Sequence, residues 1–245
     1  MTPLIEARDL RFHYDDGTKA LDGVDFTLNA GETVAVFGAN GSGKTTFILQ
    51  LNGILSGEGT VQVCGIPVVK ENLAAVRAKI GMVFQDSDEQ LFMPTVLEDV
   101  AFGPLNQGLP PDEATARATA ALTQVGMEHT VSKAPYHLSA GEKRRVALAG
   151  VLAMQPEILV LDEPTTFLDP PAQSNLLHLL QQLPQAKLIV THHTRFAAAL
   201  ATRAVFFDKG KLVADGPVEE IVERFGWVYP ALAAADFRYS AQRRF

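Results

Sequence analysis

The segment Gly38-Ala39-Asn40-Gly41-Ser42-Gly43-Lys44-Thr45-Thr46 has the residue types that grip phosphate. Glycines let successive backbone N–H groups turn toward one anion, and a helix starting at the lysine adds its positive N-terminal end. Lys44 has the reach for the β- and γ-phosphates of a nucleoside triphosphate, and the Thr45 hydroxyl suits Mg²⁺. The bland alternative is a glycine-rich turn that caps a helix. The β-rich run Thr33–Phe37 immediately before it supplies the strand–loop–helix context that the phosphate reading requires. A second apolar run, Ile158-Leu159-Val160-Leu161, ends in Asp162-Glu163. Its lack of alternation predicts a strand buried on both faces. In a parallel sheet the end of that strand falls at the ligand edge, beside the phosphate loop. There Asp162 suits the Mg²⁺ shell, and Glu163 suits a base that polarises an attacking water. The chemistry expected of these two segments together is ATP binding and hydrolysis.

The elements that must position them are legible in outline. Short β-rich runs at Leu4–Ala7, Val24–Leu28 and Thr33–Phe37 are separated by turn signals such as Asp15-Asp16-Gly17. A helical pattern is expected from Lys44 to Leu55, then strands at Val61–Val63 and Ile80–Phe84. Helix formers dominate the middle of the chain, at Glu113–Val125 and Gly141–Met154, broken by Gly103-Pro104 and Gly108–Pro111. Strand signals return at Ile158–Leu161, Lys187–Thr191 and Ala204–Phe207. Apolar strands alternating with helices predict a parallel sheet, here interrupted by a helical insert. The arginine-bearing end, Arg238–Phe245, is expected to be a loose tail.

Bulk composition narrows the function classes. The chain has 245 residues, a hydrophobic fraction of 47% and a net charge of −7. An acidic chain is a poor nucleic-acid binder, so no nucleic-acid partner is expected. A single cysteine, Cys64, allows no internal disulfide and fits a reducing compartment. The start has no secretory pattern, and the longest apolar run, Val146 to Met154, is far short of the roughly 20 residues of a membrane span. A cytoplasmic location is expected, with any membrane role exercised through another protein.

Further residues carry a specific resemblance. Leu138-Ser139-Ala140-Gly141-Glu142 resembles the Leu-Ser-Gly-Gly-Gln signature of ATP-binding-cassette (ABC) ATPases, and it lies between the two motifs above. Gln85 after Val83-Phe84 resembles the Q-loop glutamine, Thr166-Phe167-Leu168-Asp169 the D-loop, and Thr191-His192 the switch histidine. Tyr14 sits where the family stacks an aromatic ring on adenine, with Phe12 and His13 as rivals, and His193 is a neighbour that could exchange roles with His192. The match runs from about Ile5 to Gly216. It implies a P-loop NTPase core of α/β class (parallel-sheet, RecA-like), an N-terminal antiparallel β subdomain and an inserted helical signature subdomain. The expected division is a single domain over 1–225, with 1–87 and 156–225 forming the core, 88–155 the helical insert, and 226–245 a tail.

The resemblance assigns Glu163, His192 and Gln85 to catalysis. Thr45, Gln85 and Asp162 go to Mg²⁺. Ser139, Gly141, Glu142 and Asp169 join the phosphate loop in nucleotide binding, the signature acting across an ATP-dependent homodimer. Ala140 and Glu142 depart from the usual glycine and glutamine, while Ser139 and Gly141 keep a hydroxyl and a backbone N–H at a helix start. A repair or chromosome ATPase with the same head needs a long coiled coil, and no heptads run between Lys44 and Ser139.

The segments Gln85–Phe92, Asp99–Pro104 and Ala147–Met154 are similar to those of energy-coupling-factor importers, which take up vitamins and transition-metal ions. Glu142–Ala149 looks most like the cobalt or nickel members, with biotin uptake as the alternative. That resemblance implies an ATPase at the cytoplasmic face of the cell membrane, docked on an integral membrane coupling protein. Asp86, Asp88 and Glu89 form an acidic cluster suited to a partner's arginines, against the plainer reading of a solvated acidic loop.

Overall fold

The structure is a computed structural model that describes residues 3–227, so the expected tail beyond Trp227, including Arg238–Phe245, lies outside the described residues. The chain opens with β1 (Ile5–His13) and β2 (Lys19–Leu28), an antiparallel pair, and continues to β3 (Thr33–Gly38). The glycine-rich loop follows, then α1 (Lys44–Leu51), β4 (Glu58–Val63), β5 (Ile66–Pro67), α2 (Leu73–Lys79) and β6 (Ile80–Val83). Three helices, α3 (Val96–Asn106), α4 (Pro111–Gln124) and α5 (Ala140–Ala153), precede β7 (Ile158–Asp162). The remainder is α6 (Pro170–Gln182), β8 (Ala186–Val190), α7 (Thr194–Leu200), β9 (Arg203–Asp208), β10 (Lys211–Pro217) and α8 (Val218–Arg224).

Two sheets result. The first is antiparallel, in the order β2-β1-β4-β5. The second runs β10-β9-β3-β8-β7-β6, parallel from β9 to β6, with β10 antiparallel at one edge. The strands β3, β7 and β8 are apolar and almost wholly buried, which is what helices on both faces of a parallel sheet demand. Two main cores hold the layers. Ile5, Phe26, Phe47, Ile48, Val160 and Phe207 fill the space between the sheets around α1. Val100, Leu122, Val146, Leu148, Leu161 and Leu180 tie the helical insert to the sheet. The parallel pair β6–β7 is thus joined through the whole insert, which hangs from adjacent strands.

Elements differ from expectation mainly at their ends. Helix α1 stops at Leu51 instead of Leu55, where the Asn52 N–H bonds back to Gln50 and Arg77 takes the Asn52 carbonyl. Helix α3 forms through Gly103 and Pro104, which read as breakers in the sequence; Met154 packs so close to Gly103 that a side chain there would collide with it.

Candidate nucleotide site

The parallel register brings the functional strand ends together. Asp162 pairs with Val190, Val190 with Val36, and Gly38 with Phe207, so the phosphate loop, Asp162-Glu163 and Thr191-His192 leave one edge side by side. The loop needs its glycines: Gly38 and Gly43 have φ of 143° and 105°, and a methyl group on either would run into the carbonyls of Phe207 and Ala20 respectively. Lys44 is buried, and its Nζ donates to the carbonyls of Gly38 at 2.7 Å and Ala39 at 3.0 Å. Burial pushes its pKa down, opposed by Glu163 and Asp162.

A cleft of about 720 Å³ collects Tyr14, Asn40 to Thr46, Gln85, Asp162, Glu163 and His192. Tyr14 is 43% exposed, and its hydroxyl is 2.9 Å from Thr46 Oγ1, which tethers the ring to the phosphate loop. Phe12 packs edge-on against Tyr14 at 5.0 Å and is absent from the cleft lining, as is His13. Thr45 Oγ1 donates to Asp162 Oδ2 at 3.4 Å.

Electrostatics distinguish the two carboxylates. Burial, then the neighbouring Glu163 charge, lifts Asp162 to a pKa of about 6. Glu163 is raised chiefly by burial, opposed by the His192 N–H, which donates to Glu163 Oε2 at 3.3 Å. His192 Nε2 stands 3.2 Å from Glu163 Oε1 but outside hydrogen-bond geometry, so that oxygen is buried with no hydrogen-bond partner. Burial, then Lys44, pushes the His192 pKa down, which keeps the imidazole neutral at pH 7. Glu163 also has φ of 44°, an uncommon backbone state for a residue with a side chain, here at a strand end lining the cleft. His193 also lines the cleft, but its Nδ1 accepts the Phe196 N–H at 3.1 Å and caps α7.

These groups fit a Mg²⁺–triphosphate. Ser42 Oγ and Glu163 Oε1, both unpartnered and buried, lie where added phosphate oxygens and water would find them. The available metal donors are oxygens from Thr45, Asp162 and Gln85, the set a hard cation prefers. Among the described residues no group of three or more His, Cys, Asp or Glu could hold a metal ion.

Ser139, Gly141, Glu142 and Asp169, expected to bind nucleotide, do not line this cleft. Ser139 caps α5 in a closed capping box: Glu142 accepts from the Ser139 N–H and Oγ–H, both at 2.8 Å, and the Glu142 N–H returns to Ser139 Oγ at 3.3 Å. Asp169 caps α6 by accepting the Ala172 N–H at 2.9 Å. A side chain at Gly141 would meet Ala172 at 3.3 Å, so the signature and the α6 start abut. No signature residue lines the cleft around its own chain's phosphate loop.

Sequence reasoning missed Arg144. It is 3% exposed, and its two terminal nitrogens donate to the carbonyls of Phe84 and Gln85, both at 2.5 Å. It entered the sequence reading only within Glu142–Ala149; its position four residues after Ala140 and four before Leu148, on one helix face, was the available signal. Trp227 was missed as well; its ring stacks on His192. Of the acidic cluster, Asp88 forms a 2.6 Å ion pair with Lys143, Asp86 accepts the Asp88 N–H, and Glu89 lines a second, more apolar groove of about 700 Å³ with Phe92 and Phe102.

Comparison with known proteins follows the same line. A family model described as ABC transporter matches residues 21–166. A Geobacter sulfurreducens protein named for ABC transporter ATP binding is 52% identical over 219 residues, 89% of this chain and 88% of its own. The energy-coupling factor transporter ATP-binding protein EcfA of Methanothermobacter thermautotrophicus is 47% identical over 224 residues, 89% of this chain and 72% of its own. Among solved structures, cbiO1 from Clostridium perfringens, part of the transporter complex cbiONQ, is similar with a TM-score of 0.81 at 36% identity, covering 92% of both chains. A dimeric ATP-binding cassette in a post-hydrolysis state with ADP and phosphate is similar with a TM-score of 0.79 at 27% identity, covering 87% of this chain and 98% of that one.

Proposed function

The chain belongs to the ABC transporter ATPases, and from that premise we propose that it powers an energy-coupling-factor importer that takes up a transition-metal ion, cobalt or nickel. The observation that carries the ATPase part is the cleft: one strand edge joins the phosphate loop to a buried, unpartnered carboxylate oxygen on Glu163. In this reading the loop N–H groups and Lys44 hold the β- and γ-phosphates, and Tyr14 stacks on the adenine. Mg²⁺, held by Thr45, Asp162 and Gln85, supplies charge neutralisation on the phosphates. Glu163 accepts the proton of the attacking water, and its burial makes it a stronger base than a solvated glutamate. His192, kept neutral, orients that water or the γ-phosphate beside Glu163.

The outward-facing Ser139-Ala140-Gly141 segment supports a homodimer in which each signature closes the other chain's cleft. The chain is placed in this reading as a peripheral subunit at the cytoplasmic face, working through membrane partners; no helix among the described residues is long and apolar enough to cross a membrane. Docking is assigned to the apolar groove, where exposed Phe92 and Phe102 pack edge-on at 5.0 Å and Glu89 offers a carboxylate to a basic partner helix. The pairing of Asp88 with Lys143 leaves less free charge in the loop than the sequence suggests.

The metal-ion assignment rests on the resemblance over Glu142–Ala149 and is tested by transport. Cells lacking this chain should lose high-affinity uptake of radiolabelled Co²⁺ or Ni²⁺. Normal metal uptake with lost biotin uptake would reject it in favour of the vitamin branch.

A further inference from the structure

His192 has one edge against Glu163 and one face against Trp227. The two rings are 5.8 Å apart between centroids at an interplanar angle of 29°, a loose parallel stack. Trp227 is the chain's single tryptophan. Its place is set by elements outside the cleft. The Trp227 N–H donates to the Val222 carbonyl at 2.9 Å, extending the end of α8. Phe225 lies flat on Phe206 at 3.9 Å, and the indole meets the same Phe206 edge-on at 5.4 Å. Phe206 is buried on β9, next to the strand that feeds the phosphate loop. The indole is therefore anchored on the sheet and presents a face to the histidine.

The histidine needs such a wall. Its side chain is 39% exposed and makes no side-chain hydrogen bond among the described residues; the contact with Glu163 Oε1 is close but badly angled. An imidazole attached through a broad χ2 torsion settles into no single orientation unaided. An aromatic face removes the ring flips that would swing Nε2 away from Glu163 and leaves rotation in the productive plane.

We propose that Trp227 is a positioning residue for hydrolysis: its indole holds the His192 ring against Glu163, so that α8 and the segment after it act on the rate of the chemical step. This rests on the reading of His192 as a hydrolytic residue, and the test separates the two. The full chain is assayed for ATP hydrolysis as Trp227→Ala, Trp227→Phe and Trp227→Leu, each also in a His192→Ala background. Misplacing a catalytic group by about 1 Å costs up to about a hundredfold, so Trp227→Ala should lower kcat on the order of tenfold with the KM for ATP unchanged. Trp227→Phe, which keeps an aromatic face, should restore most of that loss. Trp227→Leu, which keeps apolar contact with Phe206, should not, and it covers the case in which the alanine variant fails to fold. In the His192→Ala background the Trp227 changes should have no further effect, because coupled residues are non-additive. Removal of the imidazole should also change the emission of the lone tryptophan.

Wild-type kcat in Trp227→Leu overturns the proposal. So does a loss of equal size with and without His192, which marks a structural role. An unchanged tryptophan emission in His192→Ala overturns the contact itself. Wild-type kcat in His192→Ala overturns the reading of the histidine, and the proposal falls with it.

Discussion

At the scale of single residues, the cleft is built on buried charge. Asp162, buried beside Glu163 with the Thr45 hydroxyl as its partner, is the clearest case. Its folded pKa of about 6 lies above the ordinary 3.8, so the folded state binds the proton more tightly. The associated stability is present below about pH 4 and is lost as pH rises through about 6. At neutral pH the ligand-free chain therefore bears an unfavourable buried charge, which costs about 3 kcal/mol at most. Asp162→Asn should raise the melting temperature of the nucleotide-free chain at pH 8, and the gain should vanish toward pH 4. The same variant should lose Mg²⁺-dependent hydrolysis. A melting temperature that falls at pH 8 would contradict the electrostatic account. Glu142 lies outside the cleft, in the signature's capping box. Its carboxylate occupies the Ser139 hydroxyl proton, and a signature serine must release that proton to donate to a phosphate. Glu142→Gln removes the negative charge and weakens the hold on the hydroxyl. ATP-driven dimerisation should tighten several-fold, measured by light scattering against ATP concentration.

At the scale of elements, α5 is a lever with two ends. Its N-terminus carries the signature, and one turn later Arg144 clamps the carbonyls of Phe84 and Gln85 where β6 gives way to the glutamine loop. The helical insert is thereby tied to Gln85, a residue that lines the cleft. Arg144→Lys cannot span both carbonyls. The loss of one charged hydrogen bond should cost about 1.5–3 kcal/mol in urea unfolding. Stimulation of hydrolysis by the membrane partner should fall more than basal hydrolysis does. Equal loss of both would show that the clamp supports the fold only.

Such a lever was half legible. The phosphate loop and the β7 strand could be read from the chain because a contiguous segment carries its own geometry: glycines at positive φ, then an apolar run ending in carboxylates. Helix α3 was hidden by Gly103-Pro104, although its start carried a readable signal in the Thr95–Glu98 capping box. Arg144 was hidden because its partners are backbone carbonyls about sixty residues earlier, which no local pattern can reveal. Alternation along a strand separates Tyr14 from His13 but not from Phe12, which has the same parity. The turn after β1 is what carries Tyr14 alone into the cleft. The Trp227–His192 contact joins an unpatterned segment to a distant loop, again beyond local reading.

At the scale of the whole molecule, the layout separates the nucleotide cleft from the proposed coupling face. The cleft and the apolar groove share no lining residue, and α5 with the glutamine loop joins them. Phe92→Glu with Phe102→Glu should therefore reduce co-purification with the membrane partner from detergent while leaving ATP hydrolysis by the isolated chain unchanged. Retained co-purification would place docking elsewhere. In the proposed homodimer hydrolysis takes two copies, because no signature residue lines its own chain's cleft. The most direct test of that account is Glu163→Gln, followed by size-exclusion chromatography with ATP and Mg²⁺ beside a phosphate-release assay. Glutamine keeps the shape and loses the base, so hydrolysis should slow by at least about 10²–10⁴-fold. Lys44 and the loop N–H groups are untouched, so ATP should still bind and the variant should accumulate as a dimer. Wild-type phosphate release, or a variant that stays monomeric at saturating ATP while the wild type dimerises with a non-hydrolysable analogue, would contradict it.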